Sequence, residues 1–205
     1  MGLTDVIVGI TAIITLAAWR SPALLDKMVF FGPAISVDRQ KYRFFSYGFV
    51  HADFWHLAFN MFTLWSFGSV AEVFINAEFS AFGPLVFVLF YVLTIAVSII
   101  PSYVTHKSDS TYVSLGASGA VSAVLAFVVI SDPTTGVYVY GLPMKGWQYL
   151  LVFVAVSIYL GRRPGSRVNH SAHLVGTACG LVFAVLAGWS VGYNVVREFI
   201  TYVST

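Results

Sequence analysis

Three short stretches of this chain hold side chains suited to acyl-transfer chemistry. They are His51-Ala52-Asp53-Phe54-Trp55-His56-Leu57-Ala58-Phe59-Asn60, Gly116-Ala117-Ser118-Gly119, and Ala172-His173-Leu174-Val175-Gly176-Thr177-Ala178-Cys179-Gly180. Each falls in a segment otherwise apolar enough to span a bilayer. A polar group left unpaired in hydrocarbon costs several kcal/mol, so its presence there is by default a hypothesis about function. A hydroxyl, an imidazole, and a further imidazole with a carboxamide are the parts of a site that attacks a carbonyl, carries a proton and holds an oxyanion.

Helical positions advance by about 100°, so residues four apart share a face and residues five apart diverge by about 140°. His56 and Asn60 are therefore cofacial, and His51 points elsewhere or precedes the helix. The cofacial pair offers two side-chain donors aimed at one point, as an oxyanion hole requires. The plainer alternative is a buried pair that bonds neighbouring helices. Ser118 lies between Gly116 and Gly119, which remove bulk around its hydroxyl and leave room for a substrate backbone. Its own amide, near the free N–H groups of a helix start, could also face an oxyanion. Small residues are equally common at membrane helix contacts, and Ser114 and Ser122 are expected only to bond back to a carbonyl. His173 has Gly176 and Gly180 beneath it, a small-residue stripe that lets two helix backbones approach. If the partner helix bears Ser118, the imidazole could take the hydroxyl proton. A histidine bonded to a loop carbonyl is the alternative, and it fits His170 better than His173.

The elements that must position these groups are membrane helices. Only 10% of the residues are charged and 58% are hydrophobic, against about a quarter charged in ordinary soluble domains, and the mean hydropathy is +0.82. A spanning helix needs about 20 predominantly apolar residues. Six segments come near this length, at about Leu3–Trp19, Phe54–Ile75, Phe82–Tyr103, Val113–Ser131, Gly146–Leu160 and Ser171–Val191. Prolines fall at their borders. The fold class is an all-α membrane protein, read as one domain over residues 1–205. Met1 to Arg20 lacks the charged start of a secretory signal and is read as a retained span. The loop from Arg20 to Asp53 mixes aromatics with Arg39, Lys41 and Arg43, which places it partly in the membrane interface. A net charge of +2 with no basic run argues against nucleic acid. The single cysteine, Cys179, excludes an internal disulfide and is read as a small packing residue.

With six spans, the entrances of the second, fourth and sixth face one side of the membrane. His56, Ser118 and His173 all lie near those entrances and so share a depth. No acidic residue stands as a third member, since Asp53 and Asp109 lie in loops and Asp132 at the opposite end; a Ser–His dyad is expected. No metal or other cofactor is expected, because there is no His-Glu-x-x-His run and no Cys cluster; a zinc site from His56, His170 and His173 is the weaker alternative. A transporter is disfavoured because the polar groups cluster near one face.

The ordered set of motifs resembles the rhomboid family of intramembrane serine proteases. The carrying runs are His-x-x-x-x-His-x-x-x-Asn (His51, His56, Asn60), Gly-x-Ser-Gly (Gly116, Ser118, Gly119) and Ala-His-x-x-Gly-x-x-x-Gly (Ala172, His173, Gly176, Gly180). The resemblance covers about Leu3 to Val191 and implies a six-transmembrane-helix rhomboid-like bundle of the basic bacterial type, in the inner membrane. It implies a Ser118 nucleophile and a His173 general base. His56, Asn60 and the Ser118 amide would form the oxyanion hole, with His51, Gly116, Gly119, Glu72 and Arg43 in support. Substrates would be single membrane helices entering from the bilayer between the second and fifth spans, with the loop from Gly161 to Asn169 over the cavity. A proteolytically dead relative that binds membrane helices is the alternative, disfavoured because the serine and histidine are both present. Glu72, twelve residues after Asn60, matches a family glutamate that anchors the first loop. Two departures stand out: Tyr42 precedes Arg43 where members often carry tryptophan, and Ser122 replaces a tyrosine that stacks on the catalytic histidine, so either another group holds His173 or its orientation is looser. The family topology turns the first, third and fifth loops outward. Those loops nevertheless hold Arg20, Lys27, Arg39, Lys41, Arg43, Lys107, Arg162, Arg163 and Arg167, against Lys145 and Arg197 opposite, and the positive-inside rule assigns the reverse orientation.

Overall fold

A computed structural model describes residues 1–133, 136–139, 142–163 and 168–187. The expected end of the last span at Val191, Arg167, Arg197 and part of the loop from Gly161 to Asn169 lie outside the described residues. The chain is mainly helical. Helix α1 (Leu3–Arg20) leads into a folded first loop of α2 (Pro22–Met28), β1 (Phe30–Phe31), α3 (Gly32–Ser36), α4 (Arg43–Ser46) and a 3-10 turn at Tyr47–Phe49. Then come α5 (Phe54–Phe79), α6 (Gly83–Ser98), α7 (Ile100–His106), β2 (Val113–Ser114) and α8 (Ser118–Ser131). A hairpin of β3 (Gly136–Val139) and β4 (Leu142–Lys145) precedes α9 (Gly146–Gly161) and α10 (His170–Ala187). By length and composition, Leu3–Arg20, Phe54–His106 and His170–Ala187 hold helices able to cross a membrane, while Ser118–Ser131 and Gly146–Gly161 are shorter apolar helices.

The observed elements correct the expected ones in three places. The chain is not purely helical, because Phe30 pairs with Ser114 and Phe31 with Val113 in an antiparallel ladder. That pairing, followed by Gly116 at φ +116°, delays the fourth span to Ser118 instead of Val113. The third span breaks between Ser98 and Ile100, and α7 restarts with Pro101 in its first turn, where proline's missing N–H costs nothing. The first loop is also anchored in the bundle. Tyr42 and Phe45 are exposed, but Phe30 and Tyr47 are buried in the core shared by α5, α6 and α8. Tyr47 Oη donates to the Ile95 carbonyl at 2.8 Å. Buried Arg43 ties the loop to itself, donating to the Asp26 and Val29 carbonyls at 2.6 and 2.7 Å and to Gln40 Oε1 at 2.7 Å. Tyr42 flanks the guanidinium and donates to the same Gln40 Oε1 at 3.2 Å, while Arg43 and the buried aromatics seat the loop.

Helix α8 is the centre of the bundle. Every residue from Gly119 to Val129 is buried, as befits a helix apolar on all sides. Its tightest neighbour is α10. A side chain on Gly176 would run into the Gly119 carbonyl, and one on Gly180 into the Ala123 carbonyl, so the two backbones touch. Farther along, Phe183 of α10 stacks on Phe90 of α6 with ring centroids 4.2 Å apart, and Phe127 of α8 lies 5.3 Å from Phe183.

Glu72 sits about 18 Å along α5 from Asn60 at 1.5 Å per residue. It therefore reaches the start of α1 and not the first loop. Its carboxylate accepts from the Leu3 and Thr4 amides at 2.9 and 2.7 Å, satisfying two of the donors a helix start leaves open and meeting the positive end of its dipole. Glu72→Ala should lower stability in detergent by about 1–2 kcal/mol, with Glu72→Gln losing less. Equal stability of Glu72→Ala and wild type in thermal unfolding would contradict this role.

Candidate functional site

Ser118 is the first residue of α8, so its amide has no partner within the helix and points out of the helix start. The turn that delivers it is closed by main-chain donors. The Gly116 amide donates to the Tyr47 carbonyl at 2.9 Å, and the Ala117 amide donates to His51 Nε2 at 3.2 Å. An amide can only donate, so Nε2 of His51 is the acceptor nitrogen and a neutral ring carries its proton on Nδ1. That nitrogen faces Thr15 Oγ1 at 3.2 Å, and Thr15 passes a hydrogen bond to the Phe49 carbonyl at 3.1 Å. The Trp19 indole donates to the His51 carbonyl at 2.8 Å. His51 is fully buried and holds the turn before Ser118 against α1.

His56 starts α5 under the cap of Asp53, whose carboxylate accepts from the His56 amide at 2.8 Å. Its ring lies beside His51, with centroids 5.0 Å apart in an edge-to-face arrangement, and against Gly116. A Cβ on Gly116 would fall 2.7 Å from Cε1 and Nε2 of His56. Only glycine satisfies both that contact and the positive φ. Asn60, one turn on, is buried, and its Nδ2 donates to the His56 carbonyl at 2.8 Å, leaving one amide hydrogen free for another acceptor.

Gly119 faces Ser98 of α6 and the Ala172 carbonyl, which a Cβ would approach to 3.3 Å. Its small size thus serves helix packing. The contact sets Ser118 and His173 on chain segments directly adjoining the Gly119–Ala172–Gly176 seam. Ser118 keeps partial exposure between buried Ala117 and Gly119. His173 lies in the first turn of α10. Its ring is stacked by Phe153 of α9, centroids 5.6 Å apart at 26°, and met edge-on by His170 at 5.7 Å. Ser122 bonds back to the Ser118 carbonyl at 2.7 Å, as expected of it. The ring stacked on His173 is thus supplied by α9, which sequence reasoning could not assign because it comes from another helix.

Two expectations are revised. Ser114 does not bond back to a carbonyl but accepts from Asn169. His170 is buried, and among the described residues neither of its ring nitrogens has a hydrogen-bond partner. His51 precedes α5, as the spacing allowed, and its ring comes to lie beside that of His56. The acidic residues nearest in sequence are engaged elsewhere: Asp53 caps α5, and Asp109 is held by Thr111 and His106. The Thr111 hydroxyl and amide, with the His106 imidazole, hold the Asp109 carboxyl down to about 2. Among the described residues no group of three or more His, Cys, Asp or Glu side chains could hold a metal ion.

Comparison with known proteins gives the same family as the motifs. The Rhomboid domain model matches residues 38–190. The chain is 28% identical over 154 residues to rhomboid protease GlpG of Klebsiella pneumoniae, covering 73% of this chain and 49% of the relative. It is 31% identical over 154 residues to rhomboid protein 1, mitochondrial, of Saccharomyces cerevisiae, covering 73% of this chain and 42% of that protein. With the presenilin-associated rhomboid-like protein, mitochondrial, of Bos taurus it shares 30% identity over 140 residues, 65% of this chain and 34% of the relative. The chain therefore spans half or less of the length of these relatives. Its apolar helices make it a multi-pass membrane protein, and with three-quarters of its length matched, the chain belongs to the rhomboid family.

Proposed function

We propose that this protein is an intramembrane serine endopeptidase of six spans in a bacterial inner membrane, hydrolysing peptide bonds in or near transmembrane helices. The observation that carries this reading is the seat of Gly176 on the Gly119 carbonyl. It brings the backbones of the helices bearing Ser118 and His173 into direct contact, with His56 held against Gly116 alongside. In this mechanism His173 accepts the proton of Ser118 Oγ as the oxygen attacks the scissile carbonyl. The oxyanion forms against the Ser118 amide, His56 and the free amide hydrogen of Asn60. His173 then gives the proton to the departing amine, leaving an acyl-Ser118 ester. Water attacks that ester, passing its proton through His173 back to Ser118 Oγ, and the new carboxyl end departs. Phe153 keeps the imidazole plane fixed throughout. The chemistry needs no carboxylate as a third member beside Ser118 and His173.

Purified protein in detergent should cleave a model membrane-helix substrate and react with a fluorophosphonate probe at Ser118. Ser118→Ala and His173→Ala should each abolish both signals. Labelling that survives Ser118→Ala contradicts the assignment, and substrate binding with neither cleavage nor labelling supports an inactive helix-binding relative. Asn60→Ala should lower kcat about 10²–10³-fold with little change in KM, because its donor acts on charge that develops in the transition state. An equal loss in substrate binding would argue against that role. Phe153→Ala should lower kcat up to about tenfold, the scale of one aromatic pair, and Phe153→Tyr should restore it. Full activity in Phe153→Ala would show that the stack does not hold the base.

A further inference from the structure

We infer that Asn169 is a positioning residue that sets the spacing between the turn carrying Ser118 and the helix carrying His173. The inference rests on the protease reading above. Asn169 precedes α10, and its carboxamide uses all of its hydrogen-bonding capacity. Oδ1 accepts from the Ala172 amide at 3.1 Å and from Ser171 Oγ at 2.7 Å. Nδ2 donates to Ser102 Oγ at 2.9 Å and to Ser114 Oγ at 3.2 Å. The Ala172 amide can only donate, so the oxygen must face it and the nitrogen must face the two serines.

A helix cap needs only the first half of this arrangement. The second half reaches two other elements. Ser102 lies on α7 and is buried; it also accepts from Tyr112 Oη at 3.2 Å. Ser114 lies on β2 and is buried, and its backbone pairs with Phe30 of the first loop. Ser114 stands four residues before Ser118, and Asn169 four residues before His173. The clamp therefore joins the two segments at equal chain distance from the two reacting side chains. The glycine seam fixes how closely α8 and α10 approach farther along the helices, and the clamp fixes their entrances. A hydroxyl and an imidazole must meet to within a few tenths of an ångström, and a misplacement of about 1 Å can cost about a hundredfold in rate.

The test separates capping from clamping. Asn169→Ser keeps an oxygen able to cap α10 but is too short to reach Ser102 and Ser114. Ser114→Ala removes one receiving oxygen and leaves the cap intact. Cleavage of a model membrane-helix substrate, fluorophosphonate labelling rate and thermal unfolding are measured in detergent for wild type, each variant and the double variant. The expected result is a roughly tenfold or greater loss of kcat and of labelling rate in Asn169→Ser, with KM and unfolding temperature near wild type. Ser114→Ala should show a smaller loss of the same kind, and the double variant should be no slower than Asn169→Ser alone, because Asn169→Ser already breaks the contact that Ser114→Ala removes. Asn169→Ser with wild-type kcat and labelling, or losses that multiply in the double variant, would overturn the inference alone. A wild type that neither cleaves nor labels would overturn the protease reading and this inference with it.

Discussion

Everything at the site depends on two helix backbones touching. Between membrane helices there is little hydrophobic gain to drive association, because lipid tails are as apolar as leucine, so close approach through small residues and polar contacts must do the work. Here Gly176 meets the Gly119 carbonyl and Gly180 meets the Ala123 carbonyl. Any larger residue at these two glycines would force the helices apart by about the width of a side chain. That seam makes α8 the buried axle of the bundle and sets the segments carrying Ser118 and His173 side by side.

The second requirement is that non-helical backbone inside the bundle have its polar groups satisfied by protein. The segment from Val113 to Ala117 meets it in three ways. Val113 and Ser114 pair with the first loop, Gly116 donates to the Tyr47 carbonyl, and Ala117 donates to His51. The first loop is thus a structural support for the turn before Ser118. Its buried Tyr47 and Phe30 pack in the main core, and Arg43 saturates the carbonyls that would otherwise face inward. His51 is best understood as the hinge pin of this support, linking α1 to the turn through Thr15 and Trp19.

Much of this was legible in the residues. Apolar runs mark the helices because hydrocarbon imposes length and composition together, and α1 and α9 begin and end within a residue of their expected limits. The small-residue stripe below His173 was readable because residues three and four apart share a face, and its partner on α8 proved to be Gly119. What a single sequence hides is anything set by a distant segment. Val113 and Ser114 read as the start of an apolar helix until Phe30 and Phe31 are brought beside them. Glu72 reads as a loop anchor until its distance along α5 places it under α1. Phe153 carries no signal in its own neighbourhood, since an aromatic on an apolar helix is ordinary; only the fold puts its ring on His173. Asn169 reads as loop for the same reason, with its two serines 67 and 55 residues away.

The central claim is that Ser118 and His173 act on one carbonyl together. A chloroisocoumarin tests it directly, because its acyl carbon takes one nucleophile and opening of the ring exposes a second electrophilic carbon to a neighbouring base. Peptide mapping of the treated protein by mass spectrometry should find one adduct bridging Ser118 and His173. Acylated Ser118 bridged to His56 or His170 instead, or an adduct on neither Ser118 nor His173, would contradict the account.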